Sequence, residues 1–218
     1  MDRKIPVLPI WIKTLFTLYV AFLVPIYWSQ STPMTFLWLC DVALLTTLLS
    51  LWLESSLLAS MQLLAILLVQ VIWQIDFFIQ IVSGRKVFGP GVADHVFDPR
   101  IPLLNRALSS FHLWLPYLLI WLVWRLGYDR RAPMAQTVYL WAVLLLSYLL
   151  TADSSGSAGN LNWVYGFPMI QSPAWAPAWF WLAVLMVFIP LLWYVPLHFI
   201  FRRVFRPMVI APSPHPYP

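Results

Sequence analysis

Five side chains in this sequence could act together chemically: Thr35, Asp41, Asp76, His112 and Asn162. A Thr or Ser hydroxyl becomes a competent nucleophile when a neighbouring base takes its proton. Histidine suits that task because it titrates near neutral pH, and a carboxylate can hold its ring in place. In this reading Thr35 attacks, His112 is the general base, and Asp76 or Asp41 orients the imidazole. Asn162 could donate to an oxyanion. Such a set performs ester hydrolysis or acyl transfer.

Other chemistries find less support. His95, Asp98 and His112 are a rival metal set, but no H-E-x-x-H or comparable spacing occurs, so no metal is expected. There is no Gly-rich phosphate loop, G-x-S-x-G elbow or Cys pair, and Cys40 stands alone, so no cofactor is expected. The helices lack the paired interruptions of a secondary transporter.

The elements that must position these residues are membrane helices. Of 218 residues, 61% are hydrophobic and 10% charged, against about 25% charged in a typical soluble domain. A soluble fold of this size could not hide that much apolar surface. The net charge of +5 belongs to basic residues flanking apolar stretches, without the basic stripe that nucleic-acid binding needs, so nucleic acid is excluded as a partner.

A hydrocarbon core about 30 Å thick requires about 20 helical residues. Six stretches qualify: Ile10–Trp28, Thr35–Leu53, Leu57–Val82, Leu108–Leu126, Met134–Thr151 and Ala178–Phe201. The expected fold is therefore all-α, a six-helix transmembrane domain over residues 1–206. A long irregular outer loop covers 83–107, a second covers 152–177, and a Pro-rich extended tail covers 207–218. The first stretch lacks a small-x-small cleavage site and is expected to remain as an anchor. With the N-terminus inside, nine basic residues (Arg3, Lys4, Lys13, Arg125, Arg130, Arg131, Arg202, Arg203 and Arg206) face the cytoplasm and four (Arg85, Lys86, Arg100 and Arg106) face out. That asymmetry predicts two cytoplasmic termini.

Polar residues inside such helices need a reason, because an ionised group at the bilayer centre costs about 2.5–3.5 kcal/mol by insertion scales. Gln62, Gln70, Gln74, Asp76 and Gln80 fall on one face of the third helix, which must point into the bundle. The bland reading of the glutamines is interhelical hydrogen bonding. Pro116 removes an amide from the turn above His112 and frees the His112 carbonyl. The up-down topology puts Thr35, Asp41, Asp76, Gln80, His112, Tyr148 and Thr151 in one leaflet, near His95, Asp98, Asn160 and Asn162 of the loops. His198 is expected at the opposite interface and His215 in the solvated tail.

Three segments also resemble the androgen-induced family of six-pass membrane threonine hydrolases. They are Thr35-Phe36-Leu37, His112 followed by Pro116, and Trp163-Val164-Tyr165. The resemblance implies cleavage of fatty-acid esters of hydroxy fatty acids, with Thr35 as nucleophile and His112 as catalytic histidine. Here Gly166 stands where that family has Pro, Ser109 where it has a second His, and the His-to-Pro spacing is one residue shorter in this chain. Phe36-Leu37-Trp38 and Asn162-Trp163-Val164-Tyr165-Gly166 are similar to an uncharacterised group of bacterial membrane proteins, which implies a bacterial inner-membrane location. The leading expectation is a lipid ester hydrolase or acyl-transfer enzyme with membrane lipid as its partner. The alternatives are an accessory or assembly subunit bound to other membrane-protein subunits, and a pigment or small-molecule binder.

Overall fold

The computed structural model describes residues 8–30, 33–87, 92–151, 160–166 and 176–205. The tail at 207–218 and most of 152–177 lie outside them. Nine α-helices occur among the described residues, and no β-strand. They are α1 Ile10–Gln30, α2 Leu39–Leu53, α3 Ser56–Ser83, α4 Asp94–Phe97, α5 Leu103–Leu108, α6 Phe111–Leu126, α7 Ala132–Thr151, α8 Ala178–Ile189 and α9 Val195–Val204. Among the described residues, five helical segments are long and apolar enough to cross a membrane: Ile10–Ser29, Ser56–Ser83, Leu103–Leu126, Ala132–Thr151 and Trp179–Val204. At 15 residues, α2 is shorter than a standard span.

The structure changes three expected boundaries. Thr35 does not open α2. It lies in a separate 3-10 turn, Pro33–Leu37, and α2 begins only after Trp38 adopts a non-helical conformation. The stretch from Ser83 to Ala107 is not wholly irregular, because α4 and α5 fold within it. The last helix is broken into α8 and α9 by a π-helical turn, Pro190–Tyr194, closed by the Val195 amide on the Pro190 carbonyl. Pro196 has no amide for the carbonyl four residues back, and widening the turn accommodates that loss.

α3 is the central helix. It packs against α2, α6 and α7, and 61% of its most apolar window is buried, against 17% for α8–α9. Centrality explains its polar face: Gln62, Gln70, Gln74 and Asp76 are all buried, where only partners inside the bundle can satisfy them. Twenty-eight residues make about 42 Å of helix, more than a hydrocarbon core about 30 Å thick. Asp76 lies 20 residues, or about 30 Å, along this helix from Ser56.

α1 shows why apolar surface is left outside. Phe16, Val20, Leu23 and Tyr27 form its buried stripe, while Trp11, Leu15, Leu18 and Phe22 on the opposite stripe stay more than half exposed. A helix that is apolar on both faces has protein on one side and hydrocarbon on the other.

The bundle has two distinct ends. At the turn end, α2 and α3 are joined at Glu54, which takes the left-handed conformation (φ 48°). Its carboxylate accepts from Lys13 Nζ at 2.8 Å and from the Leu8 amide at 3.1 Å. Asp129, between α6 and α7, is held by Arg131, and its amide donates to Ser60 Oγ at 3.0 Å. That ion pair keeps the Asp129 carboxyl below the usual range. His198 is paired with the Tyr128 hydroxyl at 2.9 Å. The loop end carries the 3-10 turn Pro33–Leu37, the connection from Ser83 to Leu108, and residues 160–166.

Candidate functional site

The expected catalytic residues all lie at the loop end, but the structure employs them differently from the sequence expectation. His112 is buried in the first turn of α6. Its Nδ1–H donates to Gln70 Oε1 at 3.0 Å, so its orienting partner is an amide and not Asp76 or Asp41. The ring packs against Trp73 (centroids 4.8 Å apart) and Phe111 (4.2 Å). Its main-chain carbonyl, freed by Pro116, accepts from Gln74 Nε2 at 2.9 Å. Tyr117 in turn donates to Gln74 Oε1 at 2.9 Å. The α3 glutamines therefore brace the start of α6.

Asp76 holds the long connection. Its carboxylate accepts from Gln80 Nε2 at 2.8 Å and from the Val87 and Ala93 amides, each at 3.0 Å. These donors come from both sides of the connection between α3 and α4, and the Gly84 cap (φ 67°) turns the chain back toward them. A carboxylate with two oxygens can satisfy several convergent donors. This arrangement corrects the role expected of Asp76: it orients a loop, not the His112 imidazole.

Asn162 is likewise committed to bonding within the protein. Its Oδ1 accepts from the Leu39 amide at 2.9 Å, and its Nδ2 donates to the Leu37 carbonyl at 2.7 Å and to Ser147 Oγ at 2.9 Å. Both amide protons are spent, so the expected oxyanion role is replaced by a tether joining the start of α2 to α7. Asn162 sits at φ 53°, a left-handed conformation that asparagine tolerates better than most residues. Asn160 staples the same short segment, bonding the Gly166 carbonyl and the Tyr165 amide. Tyr165 donates its hydroxyl to the Tyr148 carbonyl.

Thr35 is partly buried, and its 3-10 turn packs against α1, α2, α7 and the Asn162 segment. Its hydroxyl makes no hydrogen bond to His112. Asp41 is buried in the first turn of α2, and its Oδ1 has no hydrogen-bond partner. The carboxylate lies within electrostatic range of the Tyr19 and Tyr27 phenols.

A different hydroxyl and a different imidazole do meet. His95 Nε2 lies 2.9 Å from Ser109 Oγ. His95 is carried by α4, and Ser109 closes α5 just before α6. Tyr27 faces the same serine from α1. The His95 ring stands edge-on to His112 at 5.9 Å and 6.1 Å from Trp73. Burial pulls the His95 imidazole below its ordinary value, against the opposing pull of Asp94 and of a hydrogen bond with the Val92 backbone. The ring is therefore neutral at physiological pH, with a lone pair available to a hydroxyl. His95 belonged to the expected rival metal set, but its partner Asp98 is turned away onto Arg100. That pair holds the Asp98 carboxyl down at about 2. No cluster of three potential metal ligands forms among the described residues.

Ser109 was visible in the sequence as the position where a second histidine was expected. Nothing in the linear spacing indicated that a histidine 14 residues earlier would reach it. Beside this pair, a half-open cleft of about 230 Å³ runs between α3, α4, α5 and α6.

No protein-family model matches the chain, and neither a curated protein nor a solved structure matches it. The fold and composition define its class: among the described residues it is all-helical, with five helices long and apolar enough to cross a membrane, the architecture of a multi-pass membrane protein.

Proposed function

We propose that this chain is a six-pass membrane enzyme that hydrolyses or transfers the acyl groups of membrane lipid esters, with Ser109 as nucleophile and His95 as its base. The observation that carries this reading is the 2.9 Å contact between Ser109 Oγ and His95 Nε2. It is a hydroxyl–imidazole pair of the geometry that nucleophilic catalysis requires. Ser109 Oγ attacks the ester carbonyl while His95 Nε2 takes its proton. The imidazolium then protonates the departing alkoxide, and water or a second alcohol releases the acyl group by the reverse sequence. Ser109 and His95 replace Thr35 and His112 in these roles, because no hydrogen bond links the latter two.

Support for a sixth crossing comes from geometry. About 22 Å of α2 and about 10 Å of the preceding 3-10 turn together approach the roughly 30 Å core. Lys13, Arg125, Arg130, Arg131, Arg202 and Arg203 belong to the turn end, which favours a cytoplasmic turn end and cytoplasmic termini. The proposed location is a bacterial inner membrane, on the sequence likeness of Phe36-Leu37-Trp38 and Asn162–Gly166 to bacterial membrane proteins.

The test is hydrolysis of a long-chain ester by the purified protein in micelles. Ser109→Ala and His95→Ala should each lower kcat/KM by about 100-fold or more. Loss in Thr35→Ala with full activity in Ser109→Ala would sink the assignment.

A second reading, a non-catalytic subunit of a membrane complex, is favoured by one observation. His112, Asp76 and Asn162 are all engaged in bonds that hold the fold together. A stoichiometric partner in native purification, together with an esterase-silent wild-type protein, would decide for it.

A further inference from the structure

We infer that the cleft between α3 and the α4–α5 connection is a binding site for an anionic phospholipid, with Arg106 on its phosphate and an acyl chain along Trp73 and Phe77. The inference does not depend on Ser109 or His95 being catalytic.

The cleft is apolar apart from very few groups. Phe77, Val96, Leu103 and Leu113 contribute to its walls, and Arg106 supplies its one ionised side chain. A guanidinium stays charged at any physiological pH and carries five N–H donors. Here those donors are poorly used. Arg106 Nε is buried without a partner, and Nη1 reaches only the Val96 carbonyl, at 3.5 Å. Asp94 pairs with Lys86 through Oδ2 and Asp98 with Arg100; neither forms an ion pair with Arg106, although Asp98 acts on its charge through space. A second donor in the cleft wall, the indole N–H of Trp73, is also buried and unpaired. Buried donors without acceptors are rare in folded proteins and call for a missing partner. Two of them beside an apolar cleft call for an anion attached to hydrocarbon.

The source is the bilayer. Phe97, Leu103 and Leu104 of α4 and α5 are exposed, Leu103 by 72%. A connection that turns such side chains outward offers them to lipid. A cleft of about 230 Å³ is below the usual range of enclosed small-molecule sites, about 300–1,000 Å³. It accommodates a phosphate and the first part of one chain, and its open side leaves the rest of the lipid in the membrane. A lipid of net negative charge is preferred to a zwitterion, whose own cation competes with Arg106 for the phosphate.

The experiment places the full chain in phosphatidylcholine nanodiscs and titrates acyl-brominated phosphatidylglycerol, reading tryptophan quenching. The difference between wild type and Trp73→Phe isolates the cleft. The expected Trp73-dependent quenching is half-complete at a phosphatidylglycerol fraction several-fold lower than for brominated phosphatidylcholine. Arg106→Gln should raise that half-point about tenfold, with Arg106→Lys in between. Arg203→Gln, an equal charge change at the other end of the bundle, should leave it in place. Equal quenching by the two lipids in the wild-type protein overturns the proposal whatever the variants do. So does quenching that millimolar inorganic phosphate abolishes equally for both lipids, or an unshifted half-point in a folded Arg106→Gln protein.

Discussion

Gln74 donates its side-chain amide to the main-chain carbonyl of His112 across 2.9 Å, from the middle of α3 to the first turn of α6. That carbonyl lacks its usual helical partner because Pro116 has no N–H to give. A side chain on one helix thus completes the backbone of another. The gap that proline leaves in the first turn of α6 is closed from α3, next to the contacts that hold the His112 ring against Gln70 and Trp73.

This relationship predicts a coupling. Gln74→Leu strands the His112 carbonyl and the Tyr117 hydroxyl, and should destabilise the protein by about 1–2 kcal/mol. In a Pro116→Ala background the new amide satisfies the carbonyl, so the same substitution should cost about 1 kcal/mol less. Thermal unfolding of the four proteins in one detergent measures the cycle. Strict additivity would show that the carbonyl is not what Gln74 serves.

Asp76 should act on the connection and not on the bundle. Asp76→Asn replaces one acceptor oxygen with a donor that confronts a backbone amide. The expected effect is local opening made easier by about 2 kcal/mol, or about a thirtyfold faster amide exchange at Val87 and Ala93. Hydrogen–deuterium exchange resolved to peptides covering 84–98 reads this directly. Exchange that rises instead throughout α3 and α6 would place Asp76 in the core of the bundle.

Asn162 combines two features that substitutions can separate. Asn162→Gly keeps access to φ 53° but loses the bonds to Leu37, Leu39 and Ser147. Asn162→Ala loses the same bonds and adds the cost of a left-handed Cβ, about 1 kcal/mol. Both should lower Tm, alanine more than glycine. Equal Tm values would mean that the segment relaxes out of this conformation once the bonds are gone.

The pH dependence of the proposed esterase follows from the sign of the His95 shift. The base works only when neutral, and burial holds its imidazole below the ordinary value of 6.5. The rate should therefore stay level as pH falls through 6.5 and decline only below it, with the limb abolished in His95→Ala. The profile of kcat/KM over pH 4–9 tests this, because kcat/KM reports the free enzyme. A rate that already halves above pH 7 would exclude a buried neutral His95 as the base.

The apolar excess and the lengths of the stretches determined, from sequence alone, an all-helical protein built for lipid. The polar face of α3 was equally legible. Five polar residues within one arc of a helix must turn inward when the surroundings offer no hydrogen bonds; Gln62, Gln70, Gln74 and Asp76 are buried accordingly, while Gln80 is only half-buried. The free His112 carbonyl, one turn before Pro116, also followed from covalent chemistry, which is local. Partnership was not legible, because it depends on which residues a fold brings together across tens of positions. Placing Thr35, His112, Asp76 and Asn162 at one end could not reveal that Asn162 would clasp Leu37 and Leu39 over more than 120 residues of chain. Nor could it show that Asp76 would hold a loop, or that His95 would swing back onto Ser109. Helix period and apolarity are properties of neighbours in the chain, whereas a hydrogen-bonded pair exists only once α4, α5 and α6 have packed over α3.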